Sequence, residues 1–217
     1  MADRVLSIQG VKRLPYYLKY LKELQKNGVL HVPAAAIAES LDIYEVHVRK
    51  DLAAISRQPG KPRVGFTVNA LIEDMEHFLG YDNPNTAVLV GAGHLGQALM
   101  SYSEFERYGL QIEAAFDVSP DLIGKSIHGI EVYPLDQLES ICKEKNIEIG
   151  IITTPMEHAQ GVCDKLVAGG VKAVWNFAHI YLHVPKNVVV QNEDMAVSFA
   201  LLSNHLANKT GEIPLEE

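Results

Sequence analysis

Cysteine is scarce in this chain: two residues in 217, Cys142 and Cys163, at a separation that fits no metal-binding pattern. A disulfide-dense scaffold is excluded, and in a core-bearing chain the pair reads as buried thiols in a reducing cytoplasm, with a disulfide as the alternative. No apolar run approaches the roughly eighteen residues a membrane-spanning helix needs. The first ten residues, MADRVLSIQG, lack the basic head and apolar body of a signal peptide, so no membrane partner is expected. There is no internal repeat and no low-complexity tract, and the length leaves one large domain or two small ones. Positive charge is also short, with a formal net charge of −8. That deficit argues against a nucleic-acid partner only until its distribution is considered. Residues 1–68 hold 11 Lys and Arg against 6 Asp and Glu, whereas residues 69–217 hold 8 against 21. A basic front on an acidic back points to an appended nucleic-acid module, although a solvated basic surface gives the same numbers.

The stretch from Thr86 to Asp117 is the most informative. Residues 87–90 form a short β-branched apolar run that reads as a strand buried on both faces of a parallel sheet. Gly91, Ala92, Gly93, His94, Leu95 and Gly96 then complete the pattern G-x-G-x-x-G, and Leu95, Ala98, Leu99 and Tyr102 follow at helical spacing. Gly91 allows the tight turn, Gly93 the approach of a pyrophosphate, and Gly96 the close packing of helix on strand. The helix N-terminus offers N–H groups to the anion. A second strand over residues 110–116 ends on Asp117, where a carboxylate accepts from the adenine ribose hydroxyls, and no arginine follows Asp117-Val118 to meet a 2′-phosphate. NAD(H) is therefore expected rather than its phosphorylated counterpart.

Before that unit, three helices are expected: residues 13–26, introduced by Pro15; residues 33–41, with Pro33 in the first turn; and a third capped by Asp42. In the third, Val46, Leu52 and Ile55 are expected to face inward, with His47, Arg49 and Lys50 on or beside the outer face. A short turn between the second and third makes a helix-turn-helix. Residues 56–68, SRQPGKPRVGFTV, contain a Pro-Gly turn, a basic tip and an alternating strand over residues 64–68, which reads as a wing. Its Arg57, Lys61 and Arg63 are candidate DNA contacts, a solvated loop being the plainer alternative. A fourth helix over residues 69–79 leads into a linker at residues 80–84.

Beyond Asp117, a strand is expected over residues 127–133, a helix over 136–145 and a buried strand over 147–153. That strand ends at Thr154-Pro155, the carboxyl edge where open sheets bind ligands. A helix over residues 159–168, a strand over 172–177, one or two strands within 181–190 and a helix over 193–207 complete the series. The fold class is α/β: an N-terminal winged helix-turn-helix domain (residues 1–80), a doubly wound parallel-sheet Rossmann domain (85–190) and a C-terminal dimerisation helix and tail (191–217). The last helix has an apolar face of Met195, Phe199, Leu202 and Leu206 with nothing left in its own chain to cover it, so a homodimer is expected.

Several stretches together resemble the Rex family of redox-sensing transcriptional repressors: RLPYYLKYL from Arg13, VRKDL from Val48, VGF from Val64, GAGHLGQAL from Gly91, FDVSPDLIG from Phe116, TPMEHAQ from Thr154 and WNFAH from Trp175. The resemblance implies a homodimer with exchanged C-terminal helices, bound to palindromic operator DNA and released when NADH replaces NAD⁺. It places Arg49 and Lys50 on DNA, Tyr102 beside the nicotinamide, and Arg13, Tyr102 and Asp194 in an interdomain switch. His47 stands where the family usually has glutamine, and His94 where it has asparagine. The competing reading is an NAD-dependent oxidoreductase or a CoA-binding ligase-like domain on the same nucleotide fold. His158 is then the candidate acid or base, but too few residues follow the last strand to build a substrate domain. His179 and His183, four apart, have no acid or cysteine at ligand spacing and are read as ordinary histidines rather than metal ligands.

Overall fold

The structure, a computed structural model, describes residues 6–208; the expected C-terminal tail at residues 209–217 lies outside the described residues. The chain forms two compact units that meet at Asn83 and Pro84.

In the first unit, α1 (Ile8–Lys26) begins five residues before the expected start, because Ser7 rather than the Arg-Leu-Pro sequence sets its end: the Ser7 hydroxyl accepts from Gly10 N–H at 3.1 Å. Pro15 is interior. After β1 (His31–Val32) and α2 (Ala34–Leu41), Asp42 adopts a left-handed conformation (φ 52°) as the C-cap of α2. It does not cap α3 (Glu45–Ile55), whose N-cap is Tyr44. The expected inward face of α3 is corrected too: Leu52 and Ile55 are buried, but Val46 is 68 % exposed, and its place in the core falls to Val48 and Asp51. The wing strand β2 (Phe66–Thr67) is shorter than expected, because α4 (Val68–Leu79) starts at Val68. Its partner is the unforeseen β1, antiparallel. One apolar core joins Leu14, Tyr17, Leu18 and Leu21 of α1 to Ile37, Val48, Leu52, Leu71 and Met75.

The second unit runs β3 (Asn85–Val90), α5 (His94–Met100), α6 (Glu104–Arg107), β4 (Leu110–Asp117), β5 (Ser126–Ile127), β6 (Ile130–Pro134), a 3₁₀ turn, α7 (Leu138–Glu144), β7 (Ile149–Ile152), α8 (Met156–Ala168), β8 (Ala173–Asn176), β9 (Val189–Asn192) and α9 (Met195–Asn208). Its sheet order is β5-β6-β4-β3-β7-β8-β9, with every pairing parallel except β5 with β6. The order reverses at β3, so the β3 and β7 carboxyl ends open the crevice where doubly wound sheets take ligands. Alternation along β3 buries both faces: Val88 and Val90 pack into one core with α7 and α8, Ala87 and Leu89 into a second with Met100.

Two local expectations change. The strand over 127–133 is a hairpin, turned by His128 (φ 52°) and Gly129 (φ 83°). Of the one or two strands expected within 181–190, the described residues form one, β9. The stripe of Leu95, Ala98, Leu99 and Tyr102 does not carry α5, which has seven residues; Gly96 and Met100 are its buried positions, Leu95 and Ala98 are exposed, and Tyr102 lies past its end.

Cys142 and Cys163 are free and buried in the same core, so the disulfide alternative is set aside. Burial pushes both thiols up to about 11, with Asp164 adding to the effect at Cys163. Folded thiols that ionise later than unfolded ones, near 8.5, contribute stability that is complete below pH ~8.5 and lost as pH rises toward 11. Urea unfolding should show the second unit weakening over that window, and a Cys142→Ala/Cys163→Ala variant should show a flatter profile. An identical profile in the variant would contradict this.

Candidate functional site

Each unit brings together one set of the expected residues. In the second unit, the three glycines of the loop after β3 have different physical needs. Gly91 has φ 102°, and a Cβ there would lie 2.9 Å from the Thr153 carbonyl carbon. A Cβ on Gly96 would lie 2.1 Å from the Gly91 carbonyl oxygen. The protein itself thus requires both. Gly93 is different: its φ of −73° suits any residue, and a Cβ there would meet nothing within 4 Å. The space in front of it is open, and no side chain caps α5.

Asp117 closes one side of this opening. Its Oδ2 accepts from Ala92 N–H at 2.7 Å, and its Oδ1 accepts from Val118 N–H and Ser119 N–H, each at 2.8 Å. Three backbone donors therefore fix the carboxylate against the glycine loop and leave acceptor capacity on the oxygens. On the β7 side, Thr153 Oγ1 donates to the Gly91 carbonyl at 2.8 Å, tying the two strand ends together. Next to it, Thr154 Oγ1 is the one buried side-chain polar atom among the described residues without a partner. A buried hydroxyl left unpaired is costly, which suits a site whose missing partner is a ligand. Pro155 is the exposed N-cap of α8, His94 and Leu95 are exposed on the first turn of α5, and Val118 is exposed beyond Asp117. A dinucleotide fits this donor set. Loop backbone and α5 would face its phosphates, Asp117 its ribose, and Thr154 the atoms over the β7 edge; bound there, the nicotinamide would supply hydride chemistry.

Tyr102 stands half-exposed at the end of an aromatic ladder, edge-on to Phe105 at 4.9 Å, with Phe105 on Trp175 at 5.6 Å and Trp175 on Phe177 at 5.0 Å. Trp175 Nε1 donates to Glu193 Oε1 at 3.1 Å. Asp194 caps α9 by accepting from Ala196 N–H at 2.8 Å, and its carboxylate lies 3.3 Å from His179 Nδ1. Arg13 belongs to the first unit and is tied there to Asp51.

In the first unit, the wing turn closes through Lys61 and Gly65, with Arg63 at its tip in the left-handed region (φ 64°). Arg49, Lys61 and Arg63 line one cleft of about 520 Å³ with Glu45 and Pro62. Within it, Arg49 pairs with Glu45 one turn back, Nη2 to Oε1 at 2.6 Å. His47, Lys50 and Arg57 do not line this cleft. Lys50 is exposed, and the half-buried His47 ring packs edge-on to Tyr44. Arg57 is committed elsewhere: its backbone N–H and its Nε both donate to the buried Asp74, at 2.9 and 2.5 Å. The side-chain bond to Asp74 raises the guanidinium pKa above its ordinary value, and the two bonds together anchor the start of the wing to α4.

Two acids were missed as site-shaping residues. Asp51 is buried on α3, where Arg13 Nε donates at 2.8 Å, Arg13 Nη2 at 3.0 Å and Tyr17 Oη at 2.9 Å. The bond to Asp51 raises the Arg13 pKa, while burial, then Asp51, raises that of Tyr17. The available signal was position: Asp51 falls on the same stripe as Val48, Leu52 and Ile55, and Asp74 on that of Leu71 and Met75. An acid on a core stripe needs a donor partner.

Comparison with known proteins follows this division. Residues 6–53 match a family model described as "Putative DNA-binding protein N-terminus", and residues 82–180 match one described as "CoA binding domain". A redox-sensing transcriptional repressor Rex from Treponema denticola is 41 % identical over 200 residues, covering 92 % of this chain and 95 % of that protein. The Bacteroides thetaiotaomicron repressor of the same name is 40 % identical over 90 % of this chain and 89 % of its own length. This chain belongs to the Rex family of redox-sensing transcriptional repressors. Among solved structures, RSP in complex with beta-NAD⁺ and operator DNA superposes with a TM-score of 0.89 at 33 % identity, covering 94 % of both chains. RSP in complex with beta-NADH superposes with a TM-score of 0.84, covering 94 % of this chain and 96 % of that one. The Rex match spans both units, with the winged helix first and the Rossmann sheet second. Among the described residues no helix is long and apolar enough to cross a membrane.

Proposed function

We propose that this chain is a cytoplasmic repressor that binds a two-fold operator as a homodimer and leaves it when NADH replaces NAD⁺. The observation that carries the cofactor half is the opening at Gly93, bounded by the fixed Asp117 carboxylate and the unpartnered Thr154 hydroxyl. The solved complexes of the 33 % identical RSP with NAD⁺ plus operator DNA and with NADH support both halves. In this reading Gly91 to Gly96 hold the pyrophosphate, Asp117 and Val118 the adenosine ribose, and Thr154, Pro155 and Tyr102 the nicotinamide end. His47, Arg49, Lys50, Lys61 and Arg63 face the duplex, and Arg57 contributes chiefly by fixing the wing. The family resemblance assigns Arg13, Tyr102 and Asp194 to the switch.

Dimerisation is supported by α9, whose Met195, Phe199, Leu202 and Leu206 are 60–82 % exposed. Covering an apolar face of that kind contributes about 25 cal/mol per Å², and a second copy supplies a matching face. The rival oxidoreductase reading has less support: His158 is exposed on the first turn of α8, and the relatives are named repressors rather than enzymes.

NADH should bind far more tightly than NADPH, because Asp117 would face the 2′-phosphate across the loop it braces. Asp117→Ala should weaken NADH by about 1–3 kcal/mol through lost ribose hydrogen bonds. Titration calorimetry reads both; equal affinities for the two cofactors would overturn the assignment of Asp117.

A further inference from the structure

We infer that Val46 reads the operator directly, by packing its side chain against the 5-methyl group of a thymine on the floor of the major groove. The inference rests on the reading of the first unit as the DNA-binding domain and goes beyond it by naming an apolar readout. An exposed valine is ordinary in isolation; its place on α3 is what singles it out. The buried seam of that helix is Val48, Asp51, Leu52 and Ile55. At about 100° per residue, Val46 and Ala53 fall within about 30° of the line diametrically opposite this seam. Lys50 lies about 30° to one side of that line and Arg49 about 70° to the other. Val46 is thus the residue nearest the outward line, at 68 % exposure, with Ala53 and Lys50 on either side of it and Arg49 farther round.

Arg49 is also drawn away from the centre. Arg49 bends back to Glu45 on the wing side and shares a cleft with Lys61 and Arg63, a placement suited to a phosphate strand or the groove wall. Nearest the centre, on the second residue of α3, is a β-branched side chain with few rotamers. The first turn of a recognition helix is the part that meets base edges. On the groove floor the chemical group an aliphatic side chain can select is the thymine methyl, because every other base-edge feature there is a donor or acceptor. Hydrogen-bonding residues at this position would select a polar edge; valine penalises one.

The test is a deoxyuridine scan. A tight duplex is first selected from a random pool with the full-length wild-type chain, and its thymines are then replaced one at a time by deoxyuridine, which removes the methyl group alone. We expect one thymine per half-site whose replacement weakens wild-type binding about fourfold, the factor equivalent to about 0.8 kcal/mol for one buried methyl group. Val46→Ala should bind the thymine and uracil duplexes alike, while Lys50→Ala should weaken both by the same factor. A wild-type chain indifferent to every replacement overturns the inference, as does a Val46→Ala chain that keeps the fourfold preference. If Val46→Ala does not fold, the wild-type scan decides alone, by the presence or absence of the sensitive thymine. Failure of the underlying reading looks different: no duplex is bound with salt-dependent affinity, and both claims fall together.

Discussion

Asp51→Ala should destabilise the N-terminal unit by about 1–3 kcal/mol, the range expected when buried hydrogen-bonding groups lose their acceptor. Asp51 is 2 % exposed and receives three hydrogen bonds, two from Arg13 and one from the fully buried Tyr17. Alanine leaves the buried Tyr17 hydroxyl without this acceptor and the partly exposed Arg13 guanidinium without its carboxylate. A domain with a total stability of about 5–15 kcal/mol loses an appreciable part of it. Because the two units have separate cores, the loss should fall on operator binding while NADH binding persists in the other unit. Asp51→Asn keeps an acceptor in place and should lose less. Urea unfolding followed by far-ultraviolet dichroism, with NADH calorimetry in parallel, reads both expectations. Unchanged unfolding would mean that the triad contributes no net stability.

Gly96→Val should have the opposite distribution, damaging the nucleotide unit and sparing the winged helix. The added Cβ would lie 2.1 Å from the Gly91 carbonyl oxygen and 3.0 Å from Leu89. The first of these is backbone held by Thr153, so no flexible side chain can yield. Overpacking typically costs about 1–3 kcal/mol, and a clash with fixed backbone on this scale exceeds that range. The helix must lift from β3, the loop reshapes, and NADH binding should be lost altogether. Gly93→Ala is the informative companion: its Cβ meets no protein atom, so folding should survive while cofactor affinity falls. If Gly93→Ala bound NADH like the wild type, the opening in front of Gly93 would not be the pyrophosphate site.

Much of this was legible in the sequence where a residue type has few alternatives. The glycine spacing, the β-branched run before it and the acid after the second strand name a single local geometry, and the structure holds Gly91, Gly96 and Asp117 in it. The winged helix was legible in outline but not in detail. Asp42 resembled an N-cap, yet short polar residues also tolerate the left-handed conformation, and that second use prevailed. Val46 was expected inside because it is apolar; the helical seam instead recruited Asp51, whose charge is neutralised by Arg13 from 38 residues away. Long-range pairing of that kind leaves no local periodic trace. The same holds for Arg57, which reads as a wing cation by composition and is bound by Asp74 through the fold.

The exchange of cofactors is the centre of this account. NADH can release DNA only by favouring one arrangement of the dimer over another, and a hundredfold preference supplies about 2.7 kcal/mol per site. The most direct measurement is fluorescence anisotropy of a labelled operator duplex bound by the full chain in excess NAD⁺ and titrated with NADH. The predicted result is release of the duplex as NADH displaces NAD⁺, with NADPH at the same concentrations leaving the complex intact. A duplex that stays bound when calorimetry shows the sites filled with NADH would contradict it.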